Sequence, residues 1–158
     1  MFSNLIVIDL LKYIDDHLYA PISIQELSIL FHYNKDYLMR IFKREIGVTI
    51  IDYINQKRIY SSLFSYSFNR SIMNISLLFG FSSLEYYSEV FKRYMGVSPR
   101  VYSNYVRVGK NVSSREVDLI QHNLASLQLF FSNVSKYHNN LPPSDSVISL
   151  SIFKKKTL

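Results

Sequence analysis

A repeat with an offset of 49 residues constrains the fold of this chain more than any other feature. The pairs with this separation include Phe42 and Phe91, Lys43 and Lys92, Arg44 and Arg93, Gly47 and Gly96, and Val48 and Val97. In the preceding turn the offset is 48, so His32 corresponds to Gly80 and the second unit has one extra residue before its second helix. Such an internal repeat predicts two copies of one supersecondary unit.

Each copy has the pattern of two helices joined by a short turn. Apolar residues recur at intervals of three and four, and a glycine follows each second helix, where it can end the helix. Asn34 is the predicted N-cap of the first such helix, and Ser82 with Glu85 forms a predicted capping box in the second. We expect the buried faces of these two helices to contain Tyr37, Leu38, Ile41 and Phe42, and Tyr87, Val90 and Phe91. This pattern is typical of a helix-turn-helix, whose second helix can enter the major groove of DNA.

Composition favours an all-α fold and gives no sign of an enzyme. Gly and Pro number 4 each among 158 residues, whereas average usage would be roughly 12% of a chain. Cys is absent, which excludes disulfides, thiol catalysis and cysteine-ligated zinc. The histidines form no pair four residues apart for a metal, and no glycine-rich phosphate loop or nucleophile elbow occurs. We therefore expect no catalysis, no cofactor and no metal.

Charge and hydropathy indicate an anionic partner and no membrane. The chain carries 18 Lys and Arg against 12 Asp and Glu, a net charge of +6. Residues 1–105 carry 11 against 9, or +2, and residues 106–158 carry 7 against 3, or +4. The chain begins without the basic segment and cleavage site of a signal peptide, and no apolar run approaches the ~18 residues of a membrane span. We expect a cytoplasmic protein.

Residues 5–105 resemble the AraC/XylS family of transcription regulators. The resemblance rests on YLMRIFKREIGVT, on SLLFGFSSLEYYSEVFKRYMGVSP, and on QKRI between them. It implies a seven-helix domain in which two helix-turn-helix units are joined by a linker helix, here about 50–64. It also implies that both recognition helices enter successive major-groove segments on one side of the duplex. Such segments recur every ~34–36 Å, a separation that a rigid linker helix can fix.

The chain departs from the family pattern at several positions. Ser28 and Ser76 replace the usual alanines, and we expect that their hydroxyls can bond back to a helix carbonyl. His32 replaces the usual glycine of the first turn, and histidine adopts positive φ more readily than most residues. Ser103 stands where the family typically has arginine, and Glu89 stands where a basic residue is common.

The resemblance also assigns candidate DNA contacts. The base-facing positions fall on Asp36, Met39 and Arg40 in the first recognition helix and on Leu84, Glu85, Ser88 and Glu89 in the second. Five further residues are candidates for phosphate contacts, which set register and affinity but carry no sequence information: Lys35, Lys43, Arg44, Lys92 and Arg93. The alternative for each charged side chain is an ordinary solvated helix face.

The chemistry of the first helix suggests separate roles. The guanidinium of Arg40 can bind guanine O6 and N7 in a bidentate manner. Met39 can contact a thymine methyl group or simply be an exposed apolar residue. Asp36 could accept a hydrogen bond from cytosine N4, but the better interpretation is that its charge favours the helix N-terminus.

The two recognition helices differ in charge. Residues 33–46 carry a net +2, whereas residues 82–95 are neutral because Glu85 and Glu89 balance Lys92 and Arg93. An acidic face repels phosphate unless it accepts from cytosine. We therefore expect the first unit to dominate the affinity for DNA.

The sequence thus predicts a sequence-specific DNA-binding transcription regulator, either an activator or a repressor. Its expected partners are double-stranded DNA and RNA polymerase. The alternative is a helix-turn-helix module that binds another regulator or a polymerase subunit and has weak or no specific affinity for DNA. The modest charge of residues 1–105 and the acidic second helix motivate this alternative.

Residues 106–158 form an extension outside the resemblance. Ser113 and Glu116 predict the start of a helix at about 113–137. Its apolar seam consists of Ile120, Leu124, Leu127, Phe131 and Val134. Three interpretations are open: packing against the preceding domain, a homodimerisation helix, or a remnant of a larger sensing or catalytic module. A loop at 139–144, a strand at 147–153 and a basic tail at 154–156 are expected to follow.

Overall fold

The computed structural model describes residues 2–107 and 111–138, which form α-helices and no β-strand. The helices are α1 (Phe2–Asp16), α2 (Ile24–Phe31), α3 (Lys35–Ile46), α4 (Ile50–Ser62), α5 (Ile72–Leu78), α6 (Leu84–Met95), α7 (Pro99–Arg107) and α8 (Ser114–His138), with a 3-10 helix at Leu63–Ser67 after α4. The prediction of an all-α fold is confirmed. Among the described helices, none combines the length and apolar character needed to cross a membrane.

The first hydrophobic core lies between α1, α2, α3 and the first half of α4. Leu11 and Ile14 of α1 are fully buried in one cluster with Leu38 and Phe42 of α3. The ring of Phe42 packs edge-to-face on Tyr53 of α4, with 5.6 Å between ring centroids. Each such side chain contributes about 1.5–3 kcal/mol by leaving water, so α3 is held firmly by its apolar face.

The second core lies between the last part of α4, the 3-10 helix, α5, α6 and α7. Tyr66, Tyr87 and Phe91 are fully buried in it. The hydroxyls of Tyr66 and Tyr87 are 2.8 Å apart, and the Ser62 hydroxyl lies 3.2 Å from that of Tyr87. This hydrogen-bonded chain satisfies polar atoms that would otherwise be costly to bury.

The N-terminus of α3 and the C-termini of α3 and α6 follow the predicted chemistry. Asn34 caps α3, because its side-chain oxygen accepts from the Asp36 N–H at 2.8 Å. Gly47 and Gly96 end α3 and α6 at φ of +90° and +75°. His32 adopts φ +56°, as expected from its place in the first turn.

The predicted cap of α6 is wrong by one residue. Ser83, not Ser82, is the N-cap, and its hydroxyl accepts from the Tyr86 N–H at 3.1 Å. The reason is the extra residue of the second unit. Ser83 lies 49 residues after Asn34, the cap of α3, so the cap shares the offset of the helix that it starts. The turn before it has the offset of 48.

The linker helix ends earlier than predicted. The α-helix stops at Ser62 rather than near 64, and the chain continues as the 3-10 helix Leu63–Ser67. The Leu63 N–H bonds to the Tyr60 carbonyl, and the Ser62 hydroxyl donates to the Ile59 carbonyl at 2.7 Å. The backbone bond from Leu63 to the third preceding residue has 3-10 geometry, and the Ser62 hydroxyl occupies a carbonyl of the last α-helical turn.

The two serines that replace family alanines form different hydrogen bonds. The Ser76 hydroxyl is buried and donates to the Met73 carbonyl of its own helix at 2.7 Å, as predicted. The Ser28 hydroxyl instead donates to the Tyr33 carbonyl in the following turn at 2.7 Å, so the expected bond to a helix carbonyl is wrong at this position.

Helix α8 packs along both cores. The Ser113–Glu116 capping box forms as predicted, with the Ser113 N–H donating to the Glu116 carboxylate at 2.8 Å. Ile120 and Leu127 belong to the second core, and Val134 belongs to the first. The seam therefore packs inside the chain, which favours the packing interpretation over a dimer interface. The predicted loop, strand and basic tail lie outside the described residues.

Candidate nucleic-acid interface

Helix α3 has one buried face and one exposed cationic face. Leu38, Ile41 and Phe42 are buried and Tyr37 is half-buried, in line with the predicted core. The opposite side presents all six candidate DNA contacts to solvent: Lys35, Asp36, Met39, Arg40, Lys43 and Arg44. Met39 is 39% exposed, so its side chain is accessible on the same face as the cations.

Most of the basic side chains on α3 form no ion pair with an acidic side chain of the described residues. Arg44 pairs with Glu45, with 3.0 Å between Nε and Oε1. Within the described part of the chain, no ion pair involves Lys35, Arg40 or Lys43. The face therefore carries cations that an anionic partner can neutralise. Lys43 and Arg44 also lie in the last turn of α3, where positive charge complements the helix dipole.

Helix α6 presents a different surface. Glu85 and Glu89 are exposed, but Leu84 and Ser88 are half-buried, and Leu84 packs against the second core. Of the four base-facing candidates in this helix, the two acids are thus the most accessible. Lys92 is exposed near the end of the helix.

An ion pair within α6 occupies one of its two basic residues. Arg93 Nη2 lies 2.9 Å from Glu89 Oε1, one helical turn away. The two side chains are 49% and 67% exposed, so the pair contributes little to stability. It does direct the guanidinium of Arg93 towards a carboxylate, which competes with a phosphate contact.

Two side chains of α6 attach it to the linker helix α4. Asn55 Nδ2 donates to the Tyr86 hydroxyl at 2.9 Å, and the Tyr94 hydroxyl donates to Asp52 Oδ1 at 3.3 Å. Asp52 is itself held by the hydroxyl of Thr49 at 2.7 Å. Burial, and secondarily the charge of Asp52, raises the pKa of Tyr94, so this hydroxyl stays a donor at neutral pH. Helix α4 thus positions the second recognition helix.

Arg58 joins the two units through backbone carbonyls. This side chain in α4 is 8% exposed and donates to the carbonyls of Leu18 at 2.7 Å, Ala20 at 2.8 Å and Gly80 at 3.0 Å. Burial lowers the pKa of its guanidinium, an effect that the nearby Tyr86 opposes. In the sequence, Arg58 is notable only as part of QKRI. Its role could not be predicted, because its acceptors are backbone carbonyls and every residue has one.

Gly80 lets the two units approach closely. It adopts φ +82°, and a Cβ atom there would lie 2.8 Å from the Tyr19 carbonyl oxygen. The rings of Tyr19 and Phe79 meet edge-to-face at 5.1 Å. The turn before α6 is therefore packed against the loop that follows α1.

The chain is similar in sequence to known helix-turn-helix regulators. The model of a family described as a helix-turn-helix domain matches residues 27–105, half of the chain. The regulatory protein SoxS of Escherichia coli strain K12 is 32% identical over 103 residues, which are 65% of this chain and 96% of SoxS. This chain belongs to the AraC/XylS family of DNA-binding transcription regulators.

Other similar proteins are longer than this chain or share its fold at low identity. A response regulatory protein of Staphylococcus epidermidis is 29% identical over 65% of this chain, and the match spans 41% of that protein's length. A transcriptional regulator with an AraC-type DNA-binding domain from Chromobacterium violaceum superposes with a TM-score of 0.59 at 20% identity, over 67% of this chain and 96% of that one. This likeness shows the shared fold.

Proposed function

We propose that this AraC/XylS member reads DNA with α3 and α6 in successive major-groove segments. The observation that carries the proposal is the exposed face of α3. There Lys35, Arg40 and Lys43 form no ion pair within the described residues, opposite an apolar face that is largely buried. The reading unit is residues 5–105. Both helices are held by α4, the linker between the units.

The residues of α3 divide into base and phosphate contacts. Arg40 binds guanine through its guanidinium, and Met39 packs against a thymine methyl group. Lys35, Lys43 and Arg44 bind phosphates and release counterions, which makes the affinity depend strongly on salt. Asp36 stabilises the N-terminus of the helix, where it lies in the first turn.

Helix α6 contributes less affinity and a narrower choice of bases. Glu85 and Glu89 accept hydrogen bonds from cytosine N4 where the site offers cytosine and repel phosphate elsewhere. Lys92 remains a phosphate contact. Arg93 becomes a phosphate contact only when it leaves Glu89. Helix α3 therefore contributes most of the affinity for DNA, and α6 contributes little.

The wider role follows from the family. A transcription regulator acts by recruiting or blocking RNA polymerase, so polymerase is a proposed partner and the cytoplasm the proposed location. A homodimer through α8 is the less favoured arrangement, because the seam of this helix already packs against both cores.

Selection of binding sequences from a random duplex pool tests the proposal. The full-length chain is used at moderate salt, beside the variant Arg40→Ala/Lys43→Ala as a matched control. We expect an enriched motif about two helical turns long whose stronger half is lost in the control. A motif of one turn would mean that α6 makes no specific contact. No enrichment, with affinity that collapses as salt rises, would instead support a protein-interaction module.

A further inference from the structure

Helix α8 forms a hydrogen bond at the carboxyl end of each recognition helix. Asn123 Nδ2 donates to the carbonyl of Met95, the last residue of α6, at 3.2 Å. The hydroxyl of Tyr137 donates to the carbonyl of Glu45, in the last turn of α3, at 2.8 Å. These carbonyls belong to the group that a helix leaves without an internal partner, so α8 completes both ends.

The contact at the end of α6 is very close. A Cβ atom on Gly96 would lie 2.9 Å from Asn123 Nδ2 and 3.5 Å from Leu119 Cβ. Asn123 also donates to the Leu119 carbonyl of its own helix at 2.8 Å, which fixes its amide. The side chain of Asn123 is therefore seated directly on the turn that ends α6.

Apolar contacts run between the two hydrogen bonds. Ile120 and Leu127 pack in the second core and Val134 in the first. Between them, the ring of Phe131 stacks on Tyr60 at 5.1 Å and meets Tyr53 at 6.0 Å, both in the linker helix. Helix α8 thus contacts both units and the linker along one continuous face.

The length of α8 between its attachment points is fixed by helix geometry. Asn123 and Tyr137 are fourteen residues apart in an unbroken helix, which corresponds to about 21 Å. Arg58 joins the units at the turn before α6, and α8 joins them at the opposite end of that helix. Helix α4 and Arg58 already join the units, and the separate attachment through α8 further restricts their relative rotation.

We propose that α8 is a spacer that fixes the separation and relative rotation of the two recognition helices, with Asn123 and Tyr137 as its positioning residues. This inference rests on the proposed function, because its biological effect is to make the protein selective for the spacing between two half-sites. Inserting one base pair between the half-sites changes their separation by about 3.4 Å and their relative rotation by about a tenth of a turn. A protein whose two recognition helices are held at a fixed spacing should bind the altered site more weakly.

The first test measures the spacing without DNA. The chain contains no cysteine, so Gln25→Cys in α2 and Asn74→Cys in α5, both at exposed positions, accept one nitroxide label each. Pulsed electron paramagnetic resonance then gives the distance distribution between the units. We expect one narrow distribution in the parent and a broader one in Asn123→Ala/Tyr137→Phe. An unchanged width would overturn the spacer proposal whether or not the protein binds DNA.

The second test measures selectivity for spacing. Affinities are compared for the selected site and for sites with one base pair added or removed between the half-sites. In Asn123→Ala/Tyr137→Phe we expect the preference for the original spacing to fall by roughly tenfold, because each lost hydrogen bond corresponds to a factor of about two to thirteen. Equal weakening at all three sites would indicate a merely structural role and contradict the proposal.

Two controls separate positioning from loss of folding. Ser126→Ala removes an exposed hydroxyl whose hydrogen bond, within the described residues, stays inside α8 and goes to the His122 carbonyl. Both readouts should stay as in the parent. Tyr137→Phe alone keeps the ring and removes one hydrogen bond, so it should give an intermediate loss of spacing preference. A loss of preference in Ser126→Ala as large as in the double variant would overturn the assignment of Asn123 and Tyr137.

Discussion

At the scale of single residues, His32 adopts a backbone conformation that most side chains avoid. Its φ of +56° ends α2, and the following Tyr33 N–H bonds back to the Ser28 carbonyl at 3.2 Å. This is a left-handed helix ending in which glycine is usual. The equivalent residue of the second unit is Gly80, where a side chain would also collide with Tyr19. His32 is exposed, so the first turn tolerates a side chain there at the cost of backbone strain.

Replacing His32 with glycine should stabilise the protein. The left-handed conformation costs a residue with a Cβ atom roughly 1–2 kcal/mol, and the unfolded state of glycine has more entropy to lose. We therefore expect His32→Gly to raise the free energy of unfolding by about 1 kcal/mol, as measured by urea denaturation. His32→Ala is the matched control, since it keeps the Cβ atom. A gain in His32→Ala as large as that of the glycine variant would show that strain is not the cause.

Arg40 and Lys43 should respond differently to removal. Arg40→Ala is expected to cost about 1–3 kcal/mol at the selected site and to relax the preference at one base, because it loses a bidentate contact to guanine. Lys43→Ala should weaken binding to all sequences alike and reduce the salt slope by about one. Fluorescence anisotropy titrations on the selected site and on its single-base variants measure both effects. Uniform weakening by Arg40→Ala would identify Arg40 as a phosphate contact instead.

At the scale of helices, α3 and α6 share one architecture and differ in surface chemistry. Both are capped by a polar residue at the N-terminus and end at a glycine of positive φ. Their buried faces match, but among the described residues α3 exposes three cations outside any ion pair, whereas α6 exposes two acids and has an internal ion pair. The two copies of the repeat therefore share the way each helix is held and differ in the charge that each helix exposes.

The two helices should contribute unequally to binding. Glu89→Ala removes a negative charge and frees Arg93, so we expect a smaller loss at the selected site than Arg40→Ala causes. On random duplex DNA, the same variant should bind more tightly, with a salt slope steeper by about one, since one more phosphate contact becomes available. Titrations at several salt concentrations test both statements. Equal losses for Arg40→Ala and Glu89→Ala at the selected site would refute this asymmetry.

The sequence predicts helices well and their mutual placement poorly. Periodicity and caps located α3, α6 and α8, and the seam of α8 pointed to a buried face. The partner of that seam could not be inferred, because an apolar stripe has the same pattern whether it packs on its own chain or on a second copy. The roles of Arg58, Asn123 and Tyr137 were missed for a related reason. Each donates to backbone carbonyls, and every residue has one.

At the scale of the whole molecule, buried tyrosine hydroxyls link its stability to pH. Burial raises the pKa of Tyr87 and Tyr102 to about 12, and it raises that of Tyr66 further. In the unfolded chain these groups ionise near pH 10. Below that pH these tyrosines are neutral in both the folded and the unfolded state, so their contribution to the free energy of unfolding is fully present. As pH rises towards 12, only the unfolded state releases its protons.

We therefore expect unfolding at alkaline pH. The free energy of unfolding should be insensitive to tyrosine ionisation below about pH 10 and then fall, by up to about 1.4 kcal/mol per pH unit for each of Tyr87 and Tyr102. Thermal melts by far-UV circular dichroism measure the fall, and tyrosinate absorbance measures the ionisation. If all tyrosines ionised while the helices remained intact, the buried hydroxyls would not be the cause.

The contact between Tyr137 and Glu45 also has a consequence for synthesis on the ribosome. These residues are 92 positions apart in the chain. Val134 of α8 packs in the first core, most of which is formed by helices that are synthesised earlier. At 5–20 residues per second, about 5–18 s separate the synthesis of the two partners. During that interval the first core lacks the helix that covers it. The unit that contains α3 is thus begun first and completed last.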